Sequence, residues 1–145
     1  MFYEDKISTK TVNKIIDIIE KNKKTFKDVS KFTYTYKGFQ TVNIVNLFDM
    51  ETRKKILKDN CIFQDIFHIH YIEYNDGGYQ KKHNHFNSEV YSFILYLNDA
   101  KGDTVFEHKK VSPIKGKILI FDSDMDHFGE KSKNKKILVG AIKKK

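Results

Sequence analysis

The sequence predicts a mainly β protein: a jelly-roll barrel (double-stranded β-helix) with two α-helices from its N-terminal half packed outside. Three observations lead there. Side chains suited to a half-buried pleated surface are plentiful, with 12 Phe and 8 Tyr but no Trp. Only two stretches, both before residue 61, carry the helical signature of periodic apolar residues behind a capping residue. From residue 65 onward the apolar runs are short and bounded by turn residues, so the chain as a whole reads as two helices and about eight strands.

Taken in order, "STKTVNKIIDIIEKNKKTF" sets Val12, Ile15, Ile16 and Ile19 on one stripe of an amphipathic helix, with Ser8 or Thr9 as its N-cap. "KFTYTYKGFQTVNIVNL" alternates around Lys37-Gly38 and predicts two strands joined by a turn. "DMETRKKILKDN" is the second helix, capped by Asp49. "DIFHIHYIEY" alternates strictly, placing Ile66, His68, His70, Ile72 and Tyr74 on one face and Phe67, Ile69 and Tyr71 on the other. "NDGG" (75–78) is a turn, "EVYSFILYLN" a strand buried on both faces, and "TVFEH" a short strand. "KKVSPIKG" leads into the strand "KILIFD", and "KKILVGAI" closes the set. The 145 residues are read as one domain, 1–145, large enough for one core and too small for two.

Composition narrows the classes. No apolar run approaches the roughly 20 residues that span a bilayer, and "MFYEDKISTK" lacks a signal-peptide layout. A cytoplasmic protein without a membrane partner is expected. A single cysteine, Cys61, excludes an intrachain disulfide and fits a reducing compartment; buried filler is its expected role. The net charge of +8, with seven of the 27 basic residues in the last 15 positions, keeps nucleic acid as a candidate partner. The lysines are scattered among acids, however, and no nucleic-acid motif accompanies them.

The chemistry-bearing motif is "GYQKKHNHFNSEVYSFILYLND". In a strand, residues i and i+2 face the same side, so His83 and His85 can reach one ion. His68 and His70 share that spacing, and a pair alone is often merely packed or exposed. His127, in "FDSDMDHFG", follows an apolar strand 44 residues beyond His83. In a jelly roll, strands that far apart can lie side by side, and a third imidazole would close a facial site with open positions. The aspartates 122, 124 and 126 lack the glycine and terminal glutamate of a calcium loop and read as a solvated turn.

In order and spacing, "YNDGGYQKKHNH", "FILYLND", "KGDTVFE", "VSPIKGKILIFDSDMDHFGE" and "KKILVGAI" resemble the iron(II)/2-oxoglutarate-dependent oxygenase superfamily over roughly residues 70–142. The closest likeness is to its prolyl-hydroxylase-like members. "KGFQTVNI" is similar to a G-W-Q-S segment of a branch whose metal motif also reads H-x-H.

The resemblance implies iron(II), 2-oxoglutarate as co-substrate, O2, and a dioxygenase that hydroxylates a C–H bond. Carried over residue by residue, His83 and His127 match the histidine ligands. Lys136, nine residues past His127, matches the position that anchors the distal carboxylate of 2-oxoglutarate, helped by Tyr96 and Tyr74. His85 stands where the family has aspartate. Three imidazoles leave the site one charge more positive and open it to zinc or nickel; alternatively His85 is not a ligand. Short loops around "NHFNSEV" would leave the mouth uncovered, which suits a peptide or protein side chain as substrate.

Two rival readings accompany this one. The cupin pattern is matched in part by Gly77, His83, His85, Glu89, Gly116 and His127, giving a four-ligand metal protein that does not use 2-oxoglutarate. "YLND" and "GDTVFE" have no role in that pattern, which favours the oxygenase. The third reading is a catalytically inactive barrel that binds a polyanionic partner.

Overall fold

The computed structural model describes residues 1–85 and 89–144. Along the chain run β1 (Phe2–Lys6), α1 (Thr9–Asn22), β2 (Thr35–Gln40), α2 (Met50–Ile56), β3 (Ile66–His83) and β4 (Val90–Tyr96). They are followed by β5 (Thr104–Phe106), β6 (Lys110–Val111), β7 (Lys117–Asp122), β8 (His127–Gly129) and β9 (Lys136–Lys143). In space the strands are ordered β1-β7-β4-β9-β3-β8-β5-β6, with β2 also on β3, and all pairings are antiparallel. This is the jelly roll expected from sequence. Strand β3 is its hinge. Its first part pairs with β9 and its last residues with β8, so one strand serves both walls.

That change of wall occurs at "NDGG". Tyr74 lies opposite Gly38 and Tyr79 opposite Tyr36, so residues 75–78 bulge out opposite Lys37 alone. A Cβ on Gly78 would lie 2.4 Å from the Lys37 carbonyl oxygen, and Gly77 has φ +82°. Only glycine fits that approach, and only glycine takes that φ without strain. The expected turn is therefore a bulge within one continuous strand. The hairpin expected around Lys37-Gly38 does not form either. Lys37, at φ +50°, is the facing irregularity in the single strand β2, and the flanking residues make short 3₁₀ turns.

Helix α1 begins as expected, with the Ser8 side chain accepting from the Thr11 amide. It buries Val12, Ile15 and Ile19 against the outer face of the sheet, each contributing about 1.5–3 kcal/mol. The Asp49 carboxylate caps α2 by accepting from the Thr52 amide at 2.8 Å. Beyond α2, Lys58 and Asp59 adopt positive φ and turn the chain outward. Cys61, expected to be buried, is exposed for that reason. Strands β1, β6 and β8 were not expected. Each has two to five residues and is defined by its neighbours rather than by its own alternation.

Alternation splits the interior in two. Ile69, Tyr71, Phe93, Leu95, Ile120 and Leu138 face the helices. The residues between them, including Ile72, Tyr74, Ile94, Tyr96, Phe121 and Ile137, face the inside of the roll. No helix among the described residues is long and apolar enough to cross a membrane.

Candidate metal and co-substrate site

His83 ends β3 and His127 begins β8, and the two residues are direct cross-strand partners. Their ring centres lie 4.3 Å apart. Each ring is oriented by its own backbone: Nδ1 of His83 faces the Lys81 carbonyl at 2.7 Å, and Nδ1 of His127 faces the Met125 carbonyl at 3.0 Å. A carbonyl only accepts, so Nδ1 carries the proton and the Nε2 lone pair is left for a ligand. Burial holds both imidazoles below the ordinary histidine range, His127 at about 4; His85 adds to the effect on His83, and His83 and His85 add to it on His127. Near neutral pH both rings are uncharged, the form that binds metal.

His85 lies farther out. Its amide donates to the Ser123 carbonyl, and its ring centre is 5.3 Å from that of His83 and 6.5 Å from that of His127. Two imidazoles on one ion, with bonds of about 2.1 Å, place their ring centres roughly 4.5–5.5 Å apart. Only the His83–His85 pair meets that span: His83 and His127 sit slightly too close, and His85 and His127 are about 1 Å too far apart. Accordingly, no group of three or more His, Cys, Asp or Glu side chains among the described residues is arranged to hold an ion as it stands. Glu89, the fourth candidate of the cupin pattern, is exposed, and its carbonyl accepts from the Lys144 amide. Residues 86–88, part of the segment expected to leave the mouth uncovered, lie outside the described residues.

The three imidazoles line a cavity of about 300 Å³ together with His68 and His70. Five of the six histidines therefore share one wall system. His70 is oriented like the others, its Nδ1 3.0 Å from the Thr41 carbonyl. The alternation of β3 had set His68 and His70 on one face, but which face turns inward depends on the partner strands. Tyr34 also lines this cavity, its ring stacked on His83 at 4.3 Å and 12°. Nothing in its local sequence marks it.

Lys136 is not brought to the site. It pairs with Glu73 across β3 and β9 on the helix-covered face, its Nζ 3.8 Å from the carboxylate. Strand alternation turns its neighbour inward instead. Lys135 is 2% exposed, and its Nζ donates to the Gly102 carbonyl at 2.9 Å. It sits 5.3 Å from the ring centre of Tyr74 and 6.0 Å from that of Tyr96. Burial pulls its pKa down to about 8. Among the described residues no carboxylate forms an ion pair with it.

Tyr74 and Tyr96, both singled out from sequence, thus converge on a lysine one position away from the expected one. Burial pushes both phenols above their ordinary range, so they remain protonated donors. Tyr96 shares a hydrogen bond with Thr104. A Cβ on Gly129 would lie 3.4 Å from Gln80 and 3.6 Å from Lys135 Nζ. Because Gln80 lines the cavity, the lysine sits directly behind its wall. A buried ammonium that bonds a carbonyl, lies over two phenol rings and feels Asp103 and Glu130 only through space suits a carboxylate guest.

The acidic triplet behaves as a surface turn. Asp122 pairs with Lys144 and with the Met1 amine, and Asp126 accepts from Asn84.

No protein-family model matches the chain, and no curated protein matches it. Solved structures do. A prolyl-4-hydroxylase from Pseudomonas putida superposes with a TM-score of 0.68 at 13% identity, over 99% of this chain and 92% of that one. A Trichoplax adhaerens prolyl hydroxylase, in complex with a hypoxia inducible factor oxygen degradation domain peptide fragment, gives 0.70 at 12%, over 99% and 83%. HygX from Streptomyces hygroscopicus, with nickel, 2-oxoglutarate and hygromycin B bound, gives 0.74 at 8%, over 99% and 82%. At these identities the likeness is one of architecture, and it extends over nearly the whole chain: the protein has the jelly-roll fold that these solved structures share.

Proposed function

We propose that the protein is a non-haem iron(II)- and 2-oxoglutarate-dependent oxygenase that hydroxylates a C–H bond of a substrate entering the cavity mouth. One observation carries this reading: the cross-strand pair His83–His127 lies in the same roll as Lys135, a buried cation on which Asp103 and Glu130 act through space but with which no described carboxylate forms an ion pair. His83 and His127 would hold the metal through Nε2. His85 would complete the set after closing about 1 Å towards His127. When bound, iron supplies the Lewis-acid centre for co-substrate and O2 and carries the oxidative chemistry. Lys135, in place of Lys136, would meet the distal carboxylate of 2-oxoglutarate, with Tyr74 and Tyr96 as hydrogen-bond donors. The apolar inner residues Ile72, Ile94, Phe121 and Ile137 keep water from that pair.

A second reading, a cupin-type metal protein that does not use 2-oxoglutarate, is favoured by one feature: among the described residues no Lys, Arg, Asp or Glu lines the cavity itself. Anaerobic titration with iron(II) and then 2-oxoglutarate separates the two. A visible charge-transfer band on adding 2-oxoglutarate is expected, and it should be lost in His127→Ala, which should also bind iron at least about 100-fold more weakly. Stoichiometric iron without a band would favour the second reading, and failure to bind iron would overturn both.

A further inference from the structure

Running out from the cavity at Tyr34, the rim formed by residues 31–37 and the facing residues 79–82 carries aromatic rings and exposed lysines. Phe32 is 79% exposed, Tyr36 43% and Tyr34 42%. One face of each ring is backed: Phe32 by the Lys31 ammonium at 5.0 Å, Tyr36 by Tyr79 at 5.1 Å and 12°, and Tyr34 by His83. A ring so backed and still exposed is a fixed platform for a second flat group.

Charge on this rim is mainly positive, with Asp76 in the bulge opposite Lys37 as an exception. Lys31, Lys37, Lys81 and Lys82 are exposed, and among the described residues none of them forms an ion pair. Elsewhere lysines such as Lys23, Lys58, Lys109 and Lys144 are tied to carboxylates. The nearby Asp28 is committed, accepting from the amides of Ser30 and Gln40. Among the described strands β2 pairs with β3 alone, its Gln40 end closed by Asp28 and Val29, and the Lys81 amide donates to the Tyr34 carbonyl, linking the lysines to the ring that enters the cavity.

We propose that this rim binds single-stranded nucleic acid and leads it past Tyr34 to the imidazole site. Stackable rings interleaved with unpaired cations match a strand whose bases are flat and whose backbone is anionic. A duplex hides its base faces. An acidic peptide would use the lysines and leave the rings without a partner. That the strand is led to the site as substrate rests on the oxygenase reading, whereas the binding itself does not.

The test is fluorescence anisotropy on the metal-free protein with labelled oligothymidylate and oligouridylate 20-mers, a duplex of equal length and an oligoglutamate 20-mer. Saturable binding of the single strands is expected. It should weaken about 50-fold between 50 and 200 mM salt, as for about four phosphate contacts. Lys37→Gln with Lys81→Gln should lower both affinity and salt slope. Phe32→Ala with Tyr36→Ala should lower affinity about tenfold or more at unchanged slope. Lys10→Gln with Lys14→Gln, on the exposed side of α1, should change it less than about threefold.

Should the aromatic pair fail to fold, as read by thermal melting, the lysine pair decides against the α1 control. The proposal is overturned by no saturable binding at 50 mM salt, by duplex or oligoglutamate binding as tightly as the single strands, or by equal losses in the α1 control. None of these outcomes touches the iron titration.

Discussion

The two faces of the central sheet come from the same strands and differ in what they bury. Towards the helices, β3, β4, β7 and β9 present Ile69, Phe93, Leu95, Ile120 and Leu138, closed by Val12, Ile15 and Ile19 of α1. Towards the inside of the roll, the alternate residues include His70, Tyr74, Ser92, Tyr96 and Lys135 among the apolar ones. Each polar group buried there costs desolvation, which hydrogen bonds only partly offset. One face therefore carries stability and the other carries chemistry, and substitutions should separate them.

The largest effect should come from the helix side. Ile15 is fully buried, so Ile15→Ala should destabilise the fold by about 2–5 kcal/mol in urea melts, while the iron affinity of the folded fraction stays within about threefold. Equal loss of metal binding would mean that the faces are not separable.

The cavity side should instead respond to acid. The folded pKa of His127 is depressed to about 4, below its unfolded value near 6.5. Its contribution is therefore fully present above pH 6.5 and is lost as pH falls through about 4. Metal-free protein should lose about 3 kcal/mol across that window, and His127→Gln should flatten the profile.

Lys135→Met should sharpen the contrast. Removing a buried cation that has no direct ion pair among the described residues should stabilise the metal-free fold by about 1–3 kcal/mol, yet 2-oxoglutarate affinity should fall about 100-fold in calorimetry. The smallest effect belongs to its neighbour. Lys136→Met loses a half-exposed pair with Glu73, worth under about 1 kcal/mol, and should leave 2-oxoglutarate binding unchanged. The reverse ranking of the two lysines would restore the assignment made from spacing alone.

These lysines also show what the sequence could and could not convey. Both helices and their caps were legible because Ser8 and Asp49 act on amides three residues away. The meeting of His83 with His127 followed from the order of strands in the roll. Lys135 and Lys136 differ only in strand parity, and parity is set by the pairing of Glu73 with Lys136, 63 residues apart in the chain. "NDGG" likewise carries the signal of a turn. Whether such a signal ends a strand or bends it depends on the facing strand, here β2 with Lys37. Tyr34 is one aromatic among many until the fold lays it on His83.

The imidazoles at positions 83 and 127 are each aimed by a carbonyl two residues earlier in their own segment. Remote side chains such as Tyr34 and Phe121 pack on these rings, but among the described residues none hydrogen-bonds them, so sequence drift in the other walls can reshape what the cavity admits while the carbonyls keep the aim. The vulnerability lies in spacing: a single residue inserted between 81 and 83, or between 125 and 127, would swing a ring away while leaving every original side chain in place.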